Sequence, residues 1–200
     1  MSGIAPNPAL NSAPKHAIVT GASRGIGRAV ALRLAGDGFA VVVNYAGSHG
    51  KAAEVVKEIT GAGGRAIVVQ GDVADPAGVA RLFDEAEKAH GKIGVVVNSA
   101  GIMKLVPIAS GSVEDFDAVF DVNVRGTFNV LQQAAKRVVD GGRIITLSTS
   151  VLGMNDRLAK LPPMERLGTP EDIASVISFL AGPEGGWINA QTLRANGGYT

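Results

Sequence analysis

Apolar residues in this chain follow two rhythms that alternate along its length. Short runs of strand length occur at 17–19 (Ala17, Ile18, Val19), 39–43, 66–69 and 93–97, without the polar alternation of a half-exposed strand. Such runs predict parallel strands buried on both faces. Between them apolar positions recur at helical spacing: Ile26, Ala29, Val30 and Leu34, then Ala52, Val55, Val56 and Ile59, then Val79, Leu82, Phe83 and Ala86. A longer helical stretch runs through Phe116, Phe120, Val124, Phe128 and Leu131, and a fifth strand follows at 143–147.

Turn residues separate these segments. Gly36 and Gly38 end the first helix, and Gly61, Gly63 and Gly64 end the second. Asp75 and Pro76 form an N-cap and first-turn pair, and Ser112 has capping-box spacing before the long helix, which Gly141 and Gly142 are expected to end. Strands alternating with helices predict an α/β chain: a Rossmann-type doubly wound parallel sheet in a single domain, with ligands beyond the carboxyl ends of the strands.

Composition narrows the picture. Two hundred residues, 46% of them hydrophobic, suffice for one buried core, expected over 15–200 behind a flexible tail at 1–14. A net charge of +1, spread evenly, argues against a nucleic-acid or anionic-membrane partner. Without cysteine there is no disulfide framework and no thiolate site, and His16, His49 and His90 read as isolated surface or loop residues rather than metal ligands. No apolar stretch is long enough to span a bilayer, so a soluble, cytoplasmic protein is expected.

The chemistry lies at the strand ends. Residues 20–27 read Thr-Gly-Ala-Ser-Arg-Gly-Ile-Gly between the first strand and first helix. Gly21, Gly25 and Gly27 permit a tight bend and close backbone approach to a ligand, and the helix start offers free N–H groups to a pyrophosphate. Ser23, Arg24 and Ile26 share that turn. At the end of the second strand, where a dinucleotide-binding fold carries an acid for the ribose 2′-hydroxyl, stand Asn44 and Tyr45. A 2′-phosphate meets no repulsion there, and Arg24 with Ser48 can complement it, which favours NADP(H) over NAD(H). Asp72 and Val73 end the third strand, where the carboxylate either accepts from an adenine amino group or caps a turn. Asn98, Ser99, Ala100 and Gly101 end the fourth with small residues past which a cofactor can lie close, and Ser148, Thr149 and Ser150 end the fifth.

Taken together, the Thr20-Gly21-x-x-x-Gly25-x-Gly27 turn, Asp72-Val73, the segment from Asn98 to Gly101 and the mid-helix Asn123 resemble the short-chain dehydrogenase/reductase family in order and spacing. The tail, from Pro163 through Thr169-Pro170-Glu171-Asp172 to Gly197-Gly198, resembles that family's last helix and last strand, the latter expected at 192–195. Within the family the chain is most similar to 3-ketoacyl reductases and tetrahydroxynaphthalene-reductase-like members. The resemblance implies an NADP(H)-dependent reduction of a ketone or 3-ketoacyl-type carbonyl in a small-molecule substrate to an alcohol, and assembly as a homotetramer or dimer. It also implies that Asn123 holds the water of a proton relay, or else caps backbone groups in a kinked helix. A serine at the end of the fifth strand would hydrogen-bond the substrate carbonyl oxygen, Ser150 in preference to Ser148.

One part of the family pattern is missing. Its proton donor is a tyrosine with a lysine on the next helical turn, Tyr-x-x-x-Lys, and neither Tyr45 nor Tyr199 has such a lysine. After Gly153 the sequence passes through Met154, Asn155 and Asp156 to the segment before the last helix, so a helix and the sixth strand, on the order of 50 residues, are absent. That predicts an open sheet edge and face, and leaves a non-catalytic dinucleotide-binding protein as the alternative.

Overall fold

The computed structural model describes residues 14–149, 160 and 162–199. Its strands β1 (His16–Val19), β2 (Ala40–Tyr45), β3 (Arg65–Gln70), β4 (Ile93–Asn98) and β5 (Val138–Thr146) form one parallel sheet in the order β3-β2-β1-β4-β5. The helices are α1 (Gly25–Gly36), α2 (His49–Gly61), α3 (Pro76–His90), α4 (Val113–Phe120), α5 (Gly126–Arg137) and α6 (Pro170–Ala181).

Every residue of β1, β2 and β4 is buried, because successive side chains enter two different cores. Val19, Val41, Val43 and Val97 pack with Val30, Leu34, Val55 and Ile177 from α1, α2 and α6. Ile18, Val42 and Val96 turn to Leu82, Phe83 and Val130 from α3 and α5. The unbroken apolar runs of β1, β2 and β4 are therefore the signature of strands covered on both sides, whereas the run in the edge strand β3 is only partly buried; the doubly wound single domain is the architecture observed. No helix among the described residues is long and apolar enough to cross a membrane.

Local signals set the helix starts. Asp75 accepts from the N–H groups of Ala77 and Gly78 at 3.0 and 2.9 Å, with Pro76 at the first helical position. Ser112 Oγ accepts from Asp115 N–H at 3.0 Å. Thr169 and Asp172 cap each other's backbone at the start of α6.

Three expectations are corrected. The long helix after Ser112 is interrupted by a π-helical turn, Asp121–Arg125, and ends at Arg137 rather than at Gly141 and Gly142. The two glycines instead lie in an irregularity of β5: Ile93 pairs with Val138 and Val95 with Arg143, and a Cβ on Gly142 would stand 2.6 Å from the Gly94 carbonyl oxygen. Residues 192–195 form no strand, since among the described residues β5 is the last strand on that side of the sheet and nothing there offers them a ladder to join. His16 is not a surface residue. It opens the central strand and is 1% exposed.

The His16 Nδ1 atom lies 3.0 Å from the Gly91 carbonyl oxygen, and its ring meets that of His90 edge to face at 5.2 Å. Nε2 of both rings is buried without a partner. Burial holds both pKa values below the ordinary 6.5; Arg65 adds to the lowering, and at His16 the Gly91 carbonyl opposes it. As pH falls through 6.5 the unfolded chain therefore takes up these protons first, so the pair is neutral to stability above that value and destabilising below it. The urea midpoint should fall between about pH 7.5 and about pH 5.5, and a His16→Phe, His90→Phe double variant should flatten the slope. An unchanged slope in the double variant would exclude the pair as its source.

Candidate functional site

Sequence order reverses between β1 and β4, which opens a crevice at the carboxyl edge of the sheet. Thr20, immediately after β1, is fully buried there. Its hydroxyl donates to Asn98 Oδ1 at 2.8 Å and accepts from the N–H groups of Ser99 and Ala100 at 3.0 and 3.1 Å. One donor and two acceptors are all that a hydroxyl offers, so this group is saturated. The glycines follow from the resulting closeness. Gly21 has φ 64°, and a Cβ there would stand 2.9 Å from Ala100 Cα; one on Gly27 would stand 2.5 Å from the Gly21 carbonyl oxygen. Gly25, at φ 55°, faces open space.

From Thr20 a chain of hydrogen bonds crosses to the helix after β4. Asn98 donates through Nδ2 to Thr127 Oγ1 at 3.0 Å, and Thr127 donates to the Asn123 carbonyl oxygen at 2.7 Å. Asn123 in turn clamps Ile102, accepting from its N–H at 2.9 Å and donating to its carbonyl at 2.8 Å. The Asn123 side chain thus ties its helix to the segment after β4, and the π-helical turn widens the helix at that residue. Leu147 N–H donates to the Asn98 carbonyl oxygen at 3.0 Å, which brings exposed Ser148 to the same edge. Ser150 lies outside the described residues.

At the end of β2, Asn44 is buried and donates to the carbonyl oxygens of Val69 and Gly71 at 3.3 and 3.0 Å. Its amide holds the sheet together, and what it contributes toward a ligand is the absence of a carboxylate. Ala22 N–H donates to the Asn44 carbonyl oxygen at 2.9 Å, joining the glycine turn, with Ser23, Arg24 and Ile26, to this strand end. Arg24 and Ser48 are exposed and make no side-chain cap. Asp72 caps a turn, accepting from Ala74 N–H at 2.9 Å. Val73 is buried against Gly126, where an added Cβ would meet its Cγ2 at 2.5 Å.

This edge fits a dinucleotide. The first turn of α1 has neither a side-chain cap nor an acidic residue, unlike those of α4 and α6, so its N–H groups and dipole stand open to an anion. Among the described residues no cluster suited to a metal ion is present.

Comparison with known proteins agrees. The short chain dehydrogenase family profile matches residues 15–160, and an enoyl-(acyl carrier protein) reductase profile matches residues 150–200. The chain belongs to the short-chain dehydrogenase/reductase family. It is 35% identical to an NADPH-dependent aldehyde reductase-like protein of Arabidopsis thaliana, covering 96% of each chain. It is 33% identical to a tetrahydroxynaphthalene reductase of Pestalotiopsis fici, covering 93% of this chain and 91% of that one. A Burkholderia cenocepacia short chain dehydrogenase solved in complex with NADP is similar at TM-score 0.87 and 30% identity, over 93% of this chain and 98% of that one. Membership puts the chain among the oxidoreductases.

Sequence reasoning missed part of this dehydrogenase's scaffold. Thr127 stands four residues after Asn123, and Asn129 donates to the Val73 carbonyl oxygen at 2.9 Å. Local sequence does not single them out, since the same helix also carries Gln132, Gln133, Lys136 and Arg137. His49, read as isolated, lies 2.7 Å from the Tyr45 hydroxyl.

Replacing Thr20 by Val keeps the shape but strands Asn98 Oδ1 and two N–H groups. The expected loss is about 3 kcal/mol of unfolding free energy, read by urea titration, with Thr20→Ser recovering most of it. A Thr20→Val protein of wild-type stability would remove this hydroxyl from its organising role.

Proposed function

We propose that this chain is an NADP(H)-dependent oxidoreductase that reduces the carbonyl of a small molecule, a ketone or a 3-ketoacyl-type group, to an alcohol. The observation that carries the reading is the hydrogen-bonded line from Thr20 through Asn98 and Thr127 to Asn123, built across the switch point of the sheet. The turn from Gly21 to Gly27 with the uncapped start of α1 would hold the pyrophosphate, and Arg24 and Ser48 the 2′-phosphate. Asp72 and Val73 would border the adenine, and Ser99, Ala100 and Gly101 the ribose beyond it. The strand end without a carboxylate supports the phosphorylated cofactor, as do the NADP and NADPH in the names of similar proteins.

When bound, the reduced nicotinamide supplies a hydride for the carbonyl carbon. The chain's own residues would orient the carbonyl, while the proton for its oxygen would come from the tyrosine of a Tyr-x-x-x-Lys segment, which these 200 residues do not contain. Ser150, or Ser148, would donate to that oxygen as negative charge develops. Asn123 keeps one amide hydrogen and one lone pair beyond its clamp on Ile102, enough to order a water of the proton relay.

A second reading is favoured by the sequence itself, which contains no Tyr-x-x-x-Lys. The alignments to the two enzymes named above run over 260 and 253 residues, more than the 200 of this chain, so those relatives carry residues without a counterpart here. We assign the gap to the junction after Gly153. A chain without the proton donor would bind NADPH without turning it over.

Two measurements separate the readings: the intact mass, against 20.4 kDa for these residues, and NADPH oxidation with a panel of activated ketones and quinones. The reductase reading expects oxidation that Ser150→Ala lowers by about a hundredfold. Tight NADPH binding at 20.4 kDa with no oxidation across the panel would establish the binder instead.

Self-association is part of the proposal. Phe116, Phe120, Val124 and Phe128 recur at four-residue steps and are all exposed, and the first two rings stack at 4.2 Å. Light scattering should give a dimer or tetramer, and Phe120→Lys with Phe128→Lys should reduce the mass to that of one chain.

A further inference from the structure

The imidazole of His49 is held in place. Tyr45 closes β2 and is 7% exposed, and its hydroxyl lies 2.7 Å from Nδ1 of His49, the first residue of α2. The two rings stand 5.5 Å apart at 58°. Where the phenolic O–H donates to Nδ1, the ring carries its own proton on Nε2. His49 itself is exposed, as are residues 46–50 around it, so Nε2–H is available to a ligand. From residue 44 to residue 53 there is no carboxylate to compete for this donor. The Ala22 to Asn44 hydrogen bond brings the turn carrying Arg24 to the same strand end, where Ser48 makes no side-chain cap.

We propose that His49, oriented by Tyr45, is a specificity-determining residue whose Nε2–H joins Arg24 and Ser48 in hydrogen-bonding the 2′-phosphate of NADP(H) and so discriminates against NAD(H). The inference rests on the NADP(H) reading above. Tyr45 is the positioning residue of the pair. A ring already tethered loses less rotational freedom on meeting the phosphate than a free one. NAD(H), which carries a hydroxyl in place of that phosphate, gains little from the same donor.

The test is a fluorescence titration of NADPH and of NADH against wild type, His49→Phe, His49→Gln and Tyr45→Phe, with thermal unfolding midpoints measured alongside. The wild type should bind NADPH more tightly than NADH. His49→Phe should lower that affinity ratio about tenfold, as expected for loss of one hydrogen bond to a charged group. His49→Gln keeps an N–H donor at similar reach and should retain most of the ratio, while Tyr45→Phe, which only releases the ring, should lower it about threefold. If the midpoints shift but the ratio stays at the wild-type value in His49→Phe, the pair merely fastens α2 to β2 and the inference is overturned. A wild type without preference for NADPH would overturn the NADP(H) reading itself, a result distinguishable from failure at His49 alone.

Discussion

At the carboxyl edge of the sheet a single buried hydroxyl satisfies three partners, and the arrangement of the site depends on it. Thr20 joins the end of β1 to Asn98 at the end of β4, 78 positions away in the chain, and to the two residues after it. With that hydroxyl in place, the backbones at Gly21 and Ala100 approach until no side chain fits between them. Asn98, oriented by the same hydroxyl, passes the constraint to Thr127 and so to the π-helical turn at Asn123. A buried network of this kind is stabilising only when complete, because each unpaired member in a low-dielectric interior costs more than a pair contributes.

Around this edge the two cores differ in what surrounds them. β1, β2 and β4 are enclosed on both faces, whereas β5 pairs among the described residues with β4 alone, and Ile144 on it is 43% exposed. The irregularity at Gly141 and Gly142 breaks the regular ladder at one end of β5, one way in which an edge strand is made less receptive to other strands. The apolar stripe on α4 and α5 lies uncovered as well. Both exposures accompany a chain shorter than its alignments to relatives, and both are surfaces on which further protein can pack.

Much of this architecture is legible in the order of the residues. The apolar runs imply a sheet buried on both faces, since alternation is lost only when both sides of a strand need apolar residues. Asp75 with Pro76, and Ser112, announce helix starts through purely local hydrogen bonds. The glycine turn and the small residues after β4 point to close approach of a ligand. Other features are not local. His16 reads as a surface or loop residue until β1 is enclosed by β2 and β4, and the bracing role of Asn44 emerges only when Val69 of β3 and Gly71 just after it supply carbonyls for its amide. Residues 192–195 resemble the family's last strand in sequence but have no partner in the sheet among the described residues.

The sequence by itself determined the element types, the doubly wound sheet, the family and the position of the nucleotide turn, because periodicity, caps and glycine spacing act over a few residues. Only the tertiary structure decided which polar groups hold the frame. Thr20, Asn98 and Thr127 became one line of hydrogen bonds, and Asn44 a brace between strands, through partners lying 25 to 78 positions away. A buried amide or hydroxyl takes its role from whichever donors and acceptors the packed sheet brings within about 3 Å, and no local pattern encodes that.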